Sequence, residues 1–153
     1  MALVVPKAEM NNYIGKEMEP GAWFTIDQDR VNQFADVTVD HQFIHLDEEK
    51  AKMTPFGGTI AHGFLTLSLL SHLAGESSLV PEEIMMGVNY GFDKVRFLNP
   101  VRVGSEVRAV VTIADVTEKN PNQFLIKQAI SVEIKGEEKP ALICEWLTMV
   151  ACS

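Results

Sequence analysis

Apolar residues follow two regimes along this chain. Up to about residue 75 they recur at helical spacing or in short bursts, and beyond residue 83 they read as strands. After an irregular start, Ala22-Trp23-Phe24-Thr25-Ile26 reads as a short strand. Asp27 is placed to cap a helix, since Val31, Phe34, Ala35 and then Thr38 or Val39 follow at helical spacing. Asp47-Glu48-Glu49 opens a short helix with its acids in the favourable first turn, and Pro55-Phe56-Gly57-Gly58 breaks it. From Gly63 the run Phe64 to Ala74 is apolar on nearly every face, which predicts a helix wrapped by protein on all sides. Four β-like stretches follow: Met86 to Phe97, Glu106 to Val116, Phe124 to Ile134 and Ala141 to Val150. Turns at Pro100–Gly104, Asn120-Pro121-Asn122 and Lys135-Gly136-Glu137-Glu138 separate them. One buried helix followed by long antiparallel strands predicts an α+β fold, the sheet curling round the helix and leaving an edge to be covered.

Composition narrows this further. At 153 residues the chain suits one domain, residues 1–153, and 46% hydrophobic with 22% charged residues is a globular balance. The net charge of −8 speaks against nucleic acid or an anionic membrane as a main partner, and an anionic ligand would need local basic residues. Cys144 and Cys152 have no metal spacing and read as reduced, structural thiols. No segment approaches the ~18 apolar residues of a membrane span. Met1-Ala-Leu-Val-Val-Pro6 lacks the features of a signal peptide, so the cytoplasm is the expected compartment.

The candidate chemistry lies in Asp40-His41-Gln42-Phe43-Ile44-His45 and in Ile60-Ala61-His62-Gly63. Asp40 and His45 place a carboxylate and an imidazole on one short loop, the minimum for taking a proton from water and delivering one elsewhere. Gly63 opens the apolar helix, where exposed backbone N–H groups could stabilise a developing negative charge. Each residue also has a bland reading. Asp40 is equally a turn-former that stops the helix, His45 a satisfied half-buried histidine, and His62 a cap for the helix it precedes. Ser71 reads as a hydroxyl bonded back to the carbonyl one turn earlier. His41 and His45 raise a metal, but Asp36, Asp40 and His62 complete no known spacing, so no metal is expected. Asp47-Glu48-Glu49 and Glu137-Glu138 read as solvated acids.

With these residues in hand, the chain resembles the MaoC-like dehydratases of the (R)-specific enoyl-CoA hydratase type, and within them the nodulation-protein-N-like branch. Asp40 and His45 fall on the family's motif of Asp, three variable positions, a hydrophobic residue and His. Ile60-Ala61-His62-Gly63 matches the entry into its central helix, and Ser71 falls on that helix's serine. Tyr90-Gly91, Lys94-Val95-Arg96-Phe97, Pro100-Val101 and Gly104 match the following strand and turn, so the resemblance runs from Trp23 onward. One departure is Gln42-Phe43, where the family commonly has Asn-Pro, which bears on the loop's rigidity and on acyl-chain preference.

The resemblance implies a hot-dog fold, a homodimer and an acyl-CoA thioester substrate, with no cofactor beyond the CoA that substrate carries. It implies reversible hydration of a trans-2-enoyl-CoA to a (3R)-hydroxyacyl-CoA. Asp40 and His45 would be catalytic, with Gly63, Ser71 and His62 as oxyanion or substrate-positioning residues. A hot-dog thioesterase is the enzymatic alternative, but it usually needs a carboxylate on or near the central helix, and Gly63 to Gly75 carries none, Glu76 coming only at its end. A non-catalytic acyl-CoA binding module is the other alternative, and it has no reason to keep an acid/base pair.

Overall fold

A computed structural model describes residues 2–153. The first strand is β1 (Leu3–Val5), followed by a 3-10 turn over Lys7–Tyr13 and by β2 (Phe24–Thr25). Helix α1 (Gln28–Thr38) starts where Asp27 accepts a hydrogen bond from the Arg30 N–H at 2.8 Å, the cap expected from its sequence. Two one-turn helices, α2 (Phe43–Leu46) and α3 (Glu48–Ala51), carry the chain to the central helix. That helix is α4 (Gly63–Ser68) and α5 (Leu70–Leu73), interrupted at Leu69. Then come β3 (Leu79–Pro81), β4 (Ile84–Phe97), β5 (Glu106–Asn120), β6 (Gln123–Ile134) and β7 (Leu142–Cys152).

The main sheet has the order β2-β5-β6-β7-β4, each neighbour antiparallel to the next. In β5 and β6 alternate side chains turn inward, and Val107, Ala109, Val111, Ile113, Ile126, Ile130 and Val132 are buried there. Leu65, Leu70, Leu73 and Ala74 of the helix pack onto this face. The fold is α+β, a curled antiparallel sheet round a central helix. Cys144 and Cys152 are free and buried, and burial pushes the Cys144 thiol up to about 11, as suits a structural thiol. No helix among the described residues is long and apolar enough to cross a membrane.

Two features differ from the sequence expectation. The central helix is buried along one side rather than all round: Gly63, Phe64, Ser68, Ser71 and His72 are exposed, Phe64 by 67%. Apart from Phe64, that exposed side carries small or polar residues. The start of the chain is also more ordered than irregular. β1 pairs in parallel with β3, and the segment after the 3-10 turn lies along β5, Gly15, Met18 and Gly21 donating to the carbonyls of Ile113, Val111 and Ala109.

That segment and β2 cover one edge of the sheet. The other edge is β4, whose outer side has no strand partner among the described residues. Ile84, Met85, Met86, Val88, Tyr90 and Phe92 of β4 are all exposed. A long open apolar edge is a surface that folded chains usually pair or cover.

Candidate active site

The loop between α1 and α2 begins under strain. Val39 closes α1 at φ 61°, a left-handed conformation that crowds a β-branched side chain, and with 79% exposure it gains no burial in return. The reversal turns Asp40 out of the helical path. Asp40 is exposed, and its Oδ1 accepts from the Gln42 N–H at 3.3 Å, so it does form the turn of its bland reading. It also stands next to His45, which the following turn of helix carries inward.

His45 is buried and held from several directions. Its Nδ1 donates to the Ile60 carbonyl at 2.7 Å, the Ile60 N–H donates to the Ile44 carbonyl at 3.0 Å, and the Gln28 amide donates to the His45 carbonyl at 2.8 Å. The Gln28 amide oxygen in turn faces the buried Thr59 hydroxyl at 2.8 Å, and Glu48 accepts from the Thr59 N–H at 2.9 Å. That backbone contact, chiefly, holds the Glu48 carboxyl below its ordinary value. With Nδ1 carrying the proton, His45 presents an unprotonated Nε2. Burial lowers its pKa from 6.5, opposed by the Ile60 carbonyl and, more weakly, by Asp40, so the ring is neutral at pH 7.

His62 is the feature that sequence reasoning placed least well. It occupies the N-cap position of α4 but makes no capping bond. Its ring instead stacks on that of His45, centroids 3.8 Å apart at 23°, and its Nε2 donates to the Asp40 carbonyl at 3.1 Å. His62 thus ties the backbone of the acid to the ring of the base. Its Nδ1 is buried without a hydrogen-bond partner among the described residues. No spacing rule links positions 45 and 62, so only the fold reveals the stack.

A carboxylate oxygen of Asp40 and ring nitrogens of His45 and His62 lie within 4.8 Å of one another. That separation lets one water bridge the acid and the base. The same three groups could also offer a metal three ligand atoms. Stacked rings point their in-plane lone pairs alongside one another rather than toward a common point, which suits chelation poorly. His41 takes no part, since its ring pairs with Asp36 at 3.0 Å on the surface.

His45 opens onto a cavity of about 260 Å³ that Gly63, Thr66, Phe97 and Leu142 also line. A Cβ at Gly63 would lie 3.0 Å from the Phe97 ring, so any larger residue would require that ring to shift. No carboxylate lines this cavity. Ser71 is not brought to Asp40 and His45. It lies two turns further along the helix, facing a second cavity, and Ser68 rather than Ser71 makes the back-bond, to the Phe64 carbonyl at 2.6 Å. Glu76 sits in the 3-10 turn Gly75–Ser77, outside the lining of the first cavity.

Comparison with known proteins bears on the family and the fold. The family model "MaoC like domain" matches residues 9–134. Nodulation protein N of Rhizobium leguminosarum bv. viciae is 43% identical over 94% of this chain and 89% of its own length. 3-Hydroxyacyl-thioester dehydratase Z of Mycobacterium tuberculosis is 42% identical over 90% of this chain and 91% of its own. Among solved structures, the (R)-hydratase from A. caviae involved in PHA biosynthesis superposes with a TM-score of 0.71 at 26% identity, covering 88% of this chain and 94% of that one. Its hot-dog fold is the fold described above.

Proposed function

The chain belongs to the MaoC-like dehydratase family and is a hydro-lyase, and from that premise we propose that it interconverts trans-2-enoyl-CoA and (3R)-hydroxyacyl-CoA. The observation that carries this reading is the neutral, anchored His45 beside Asp40 at the mouth of a largely apolar cavity. Asp40 accepts one hydrogen of the bridging water and His45 Nε2 accepts the other. As that second O–H bond breaks, the oxygen bonds to C3 and the π electrons of the double bond move toward the thioester. The Gly63 N–H, beside the cavity, stabilises the resulting enolate oxygen, a donor of the kind whose loss elsewhere costs about 2.7–4 kcal/mol. The imidazolium of His45, stabilised by the Asp40 carboxylate, then returns the proton to C2. Water has added across the double bond, and both side chains have regained their starting protonation. Dehydration runs the same steps backward.

No cofactor enters this scheme. Thioester hydrolysis is the less supported reading, because no carboxylate of the central helix lines the first cavity, Glu76 lying outside it. Acyl-CoA binding without turnover leaves the anchoring of His45 unexplained. A single assay separates the three: crotonyl-CoA loses its enoyl absorbance on hydration, releases free thiol on hydrolysis, and does neither with a binding module. Hydration without thiol release is expected, and thiol release alone would refute the proposal.

The same reading includes a homodimer. A second copy laid against β4 would cover the apolar edge and the exposed face of α4, including Phe64. Sedimentation at micromolar concentration tests this, and a stable monomer would contradict it.

A further inference from the structure

The inward row of β6 runs Phe124, Ile126, Gln128, Ile130, Val132, Ile134, and every member is buried. Five are apolar. Gln128, only 4% exposed, is the exception, on a central strand of the sheet. Its amide has no hydrogen-bond partner among the described residues, and the polar tip keeps its accessibility through the space in front of it, since the buried side-chain atom left unpaired among those residues is His62 Nδ1. Gln128 faces a second cavity of about 330 Å³ between α5 and the sheet.

Other polar groups converge on the same space. Ser71 approaches from the helix, Asn89 from β4, and Trp146 and Thr148 from β7. The Trp146 indole donates to Asn89 Oδ1 at 3.2 Å, which fixes that amide and leaves its NH₂ free. Neither the Ser71 nor the Thr148 hydroxyl is bonded within the described chain. A groove of mixed lining on which a few polar groups converge is the general form of a site that orients a ligand.

The two cavities share the helix-facing side of the sheet. Gly63 and Thr66 of α4 line the first and Ser71 of α5 the second, while β7 gives Leu142 to the first and Trp146 to the second. From Gly63 to Ser71 the helix rises about 12 Å, a reach that suits a medium-length acyl chain. We infer that the second cavity receives the far end of the acyl group, and that Gln128 selects for an oxygen there, a hydroxyl or a carbonyl. The inference rests on the acyl-thioester reading above but not on turnover. Gln128 is then a specificity-determining residue: an amide both donates and accepts, so it pairs with either oxygen function, whereas a plain alkyl end leaves it unsatisfied.

The test is equilibrium binding by calorimetry of decanoyl-CoA and ω-hydroxydecanoyl-CoA, both inert to hydration. The wild type is expected to bind the hydroxy compound about 10–100-fold more tightly, as a built hydrogen-bonding site does. Gln128→Leu should erase that ratio, and Gln128→Met, which keeps the unbranched shape, should erase it too if Leu disturbs packing. Equal affinities in the wild type, binding of neither compound, or a preference that survives both substitutions would overturn the inference and leave the cavity to ordered water. The trans-2-enoyl forms of both compounds then read the reaction separately. Preferential binding without hydration would sink the proposed activity while sustaining the pocket, and hydration of both at equal efficiency with equal affinities would do the reverse.

Discussion

Replacing Asp40 and His45 singly and together tests whether they act as one unit on one water. The structure makes both changes conservative. Gln at position 45 keeps an amide that can donate to the Ile60 carbonyl in place of Nδ1, but offers no basic nitrogen. Asn at position 40 keeps the oxygen that accepts from the Gln42 N–H, and the exposed site costs little stability. Each single change is expected to lower kcat about 10²–10⁴-fold, the usual contribution of a general acid/base group. At about 10³ each, independent effects would multiply to about 10⁶, or roughly 8 kcal/mol of barrier. Two groups within 4.8 Å of each other that share one water predict otherwise, since losing either loses the water's orientation or its proton acceptor. The double variant should therefore fall only to about the level of the worse single one, a coupling of about 4 kcal/mol. The assay is loss of enoyl absorbance from crotonyl-CoA, with circular dichroism to confirm folding. A folded Asp40→Asn protein working at the parent rate would refute the scheme and return Asp40 to its turn. Fully multiplicative losses would separate the two residues' roles.

Leu70 is 1% exposed and Leu69 only half-buried, so Leu70→Ala should cost about 2–5 kcal/mol and Leu69→Ala clearly less, measured by urea denaturation; equal costs would mean that both faces of the helix are enclosed. Val39→Asn should stabilise the chain by about 1 kcal/mol, because Asn tolerates the left-handed conformation that Val resists and little apolar contact is lost, and a lowered melting temperature would count against strain at this position. Because the folded pKa of His45 lies below its unfolded value of 6.5, the unfolded chain binds the extra proton first, so this residue's share of stability is intact above pH 6.5 and is lost as pH falls through the folded pKa. Denaturation profiles from pH 7.5 downward should thus be flatter for His45→Gln than for the parent, about the window just below pH 6.5, and parallel profiles would show that burial does not perturb the ring.

Strand positions were legible because alternation is a local signal. β4 to β7 coincide with four runs of β-branched and aromatic residues, and the helix cap at Asp27 was readable for the same reason. What escaped was non-local. β1 is a strand only because Leu3–Val5 meets Leu79–Pro81 in parallel, a pairing that no window of sequence contains. The run from Gly63 is so rich in Leu that it reads as buried all round, but Ser68, Ser71 and His72 fall on its exposed side. The acid/base pair could be found because Asp40 and His45 share a loop, whereas the role of His62 could not, because its contacts to both depend on α4 returning beside α2.

Gln128 belongs to a third class, in which the signal was present and local but lay in an exception. The row that assigns the inward face of β6 also exposes the one member that breaks it. An apolar core tolerates a polar group that is paired, as the buried Thr59 is with Gln28 and Glu48, or one that has a use. Thr59 is explained by its partners, which brace His45. Gln128 has none among the described residues, and the space in front of it is open. An amide whose tip opens onto a cavity is solvated there, and a molecule that enters without a polar group of its own displaces that water and leaves the amide unpaired. In a chain whose reaction takes place about two helical turns away, the group best placed to arrive is the far end of the molecule being hydrated.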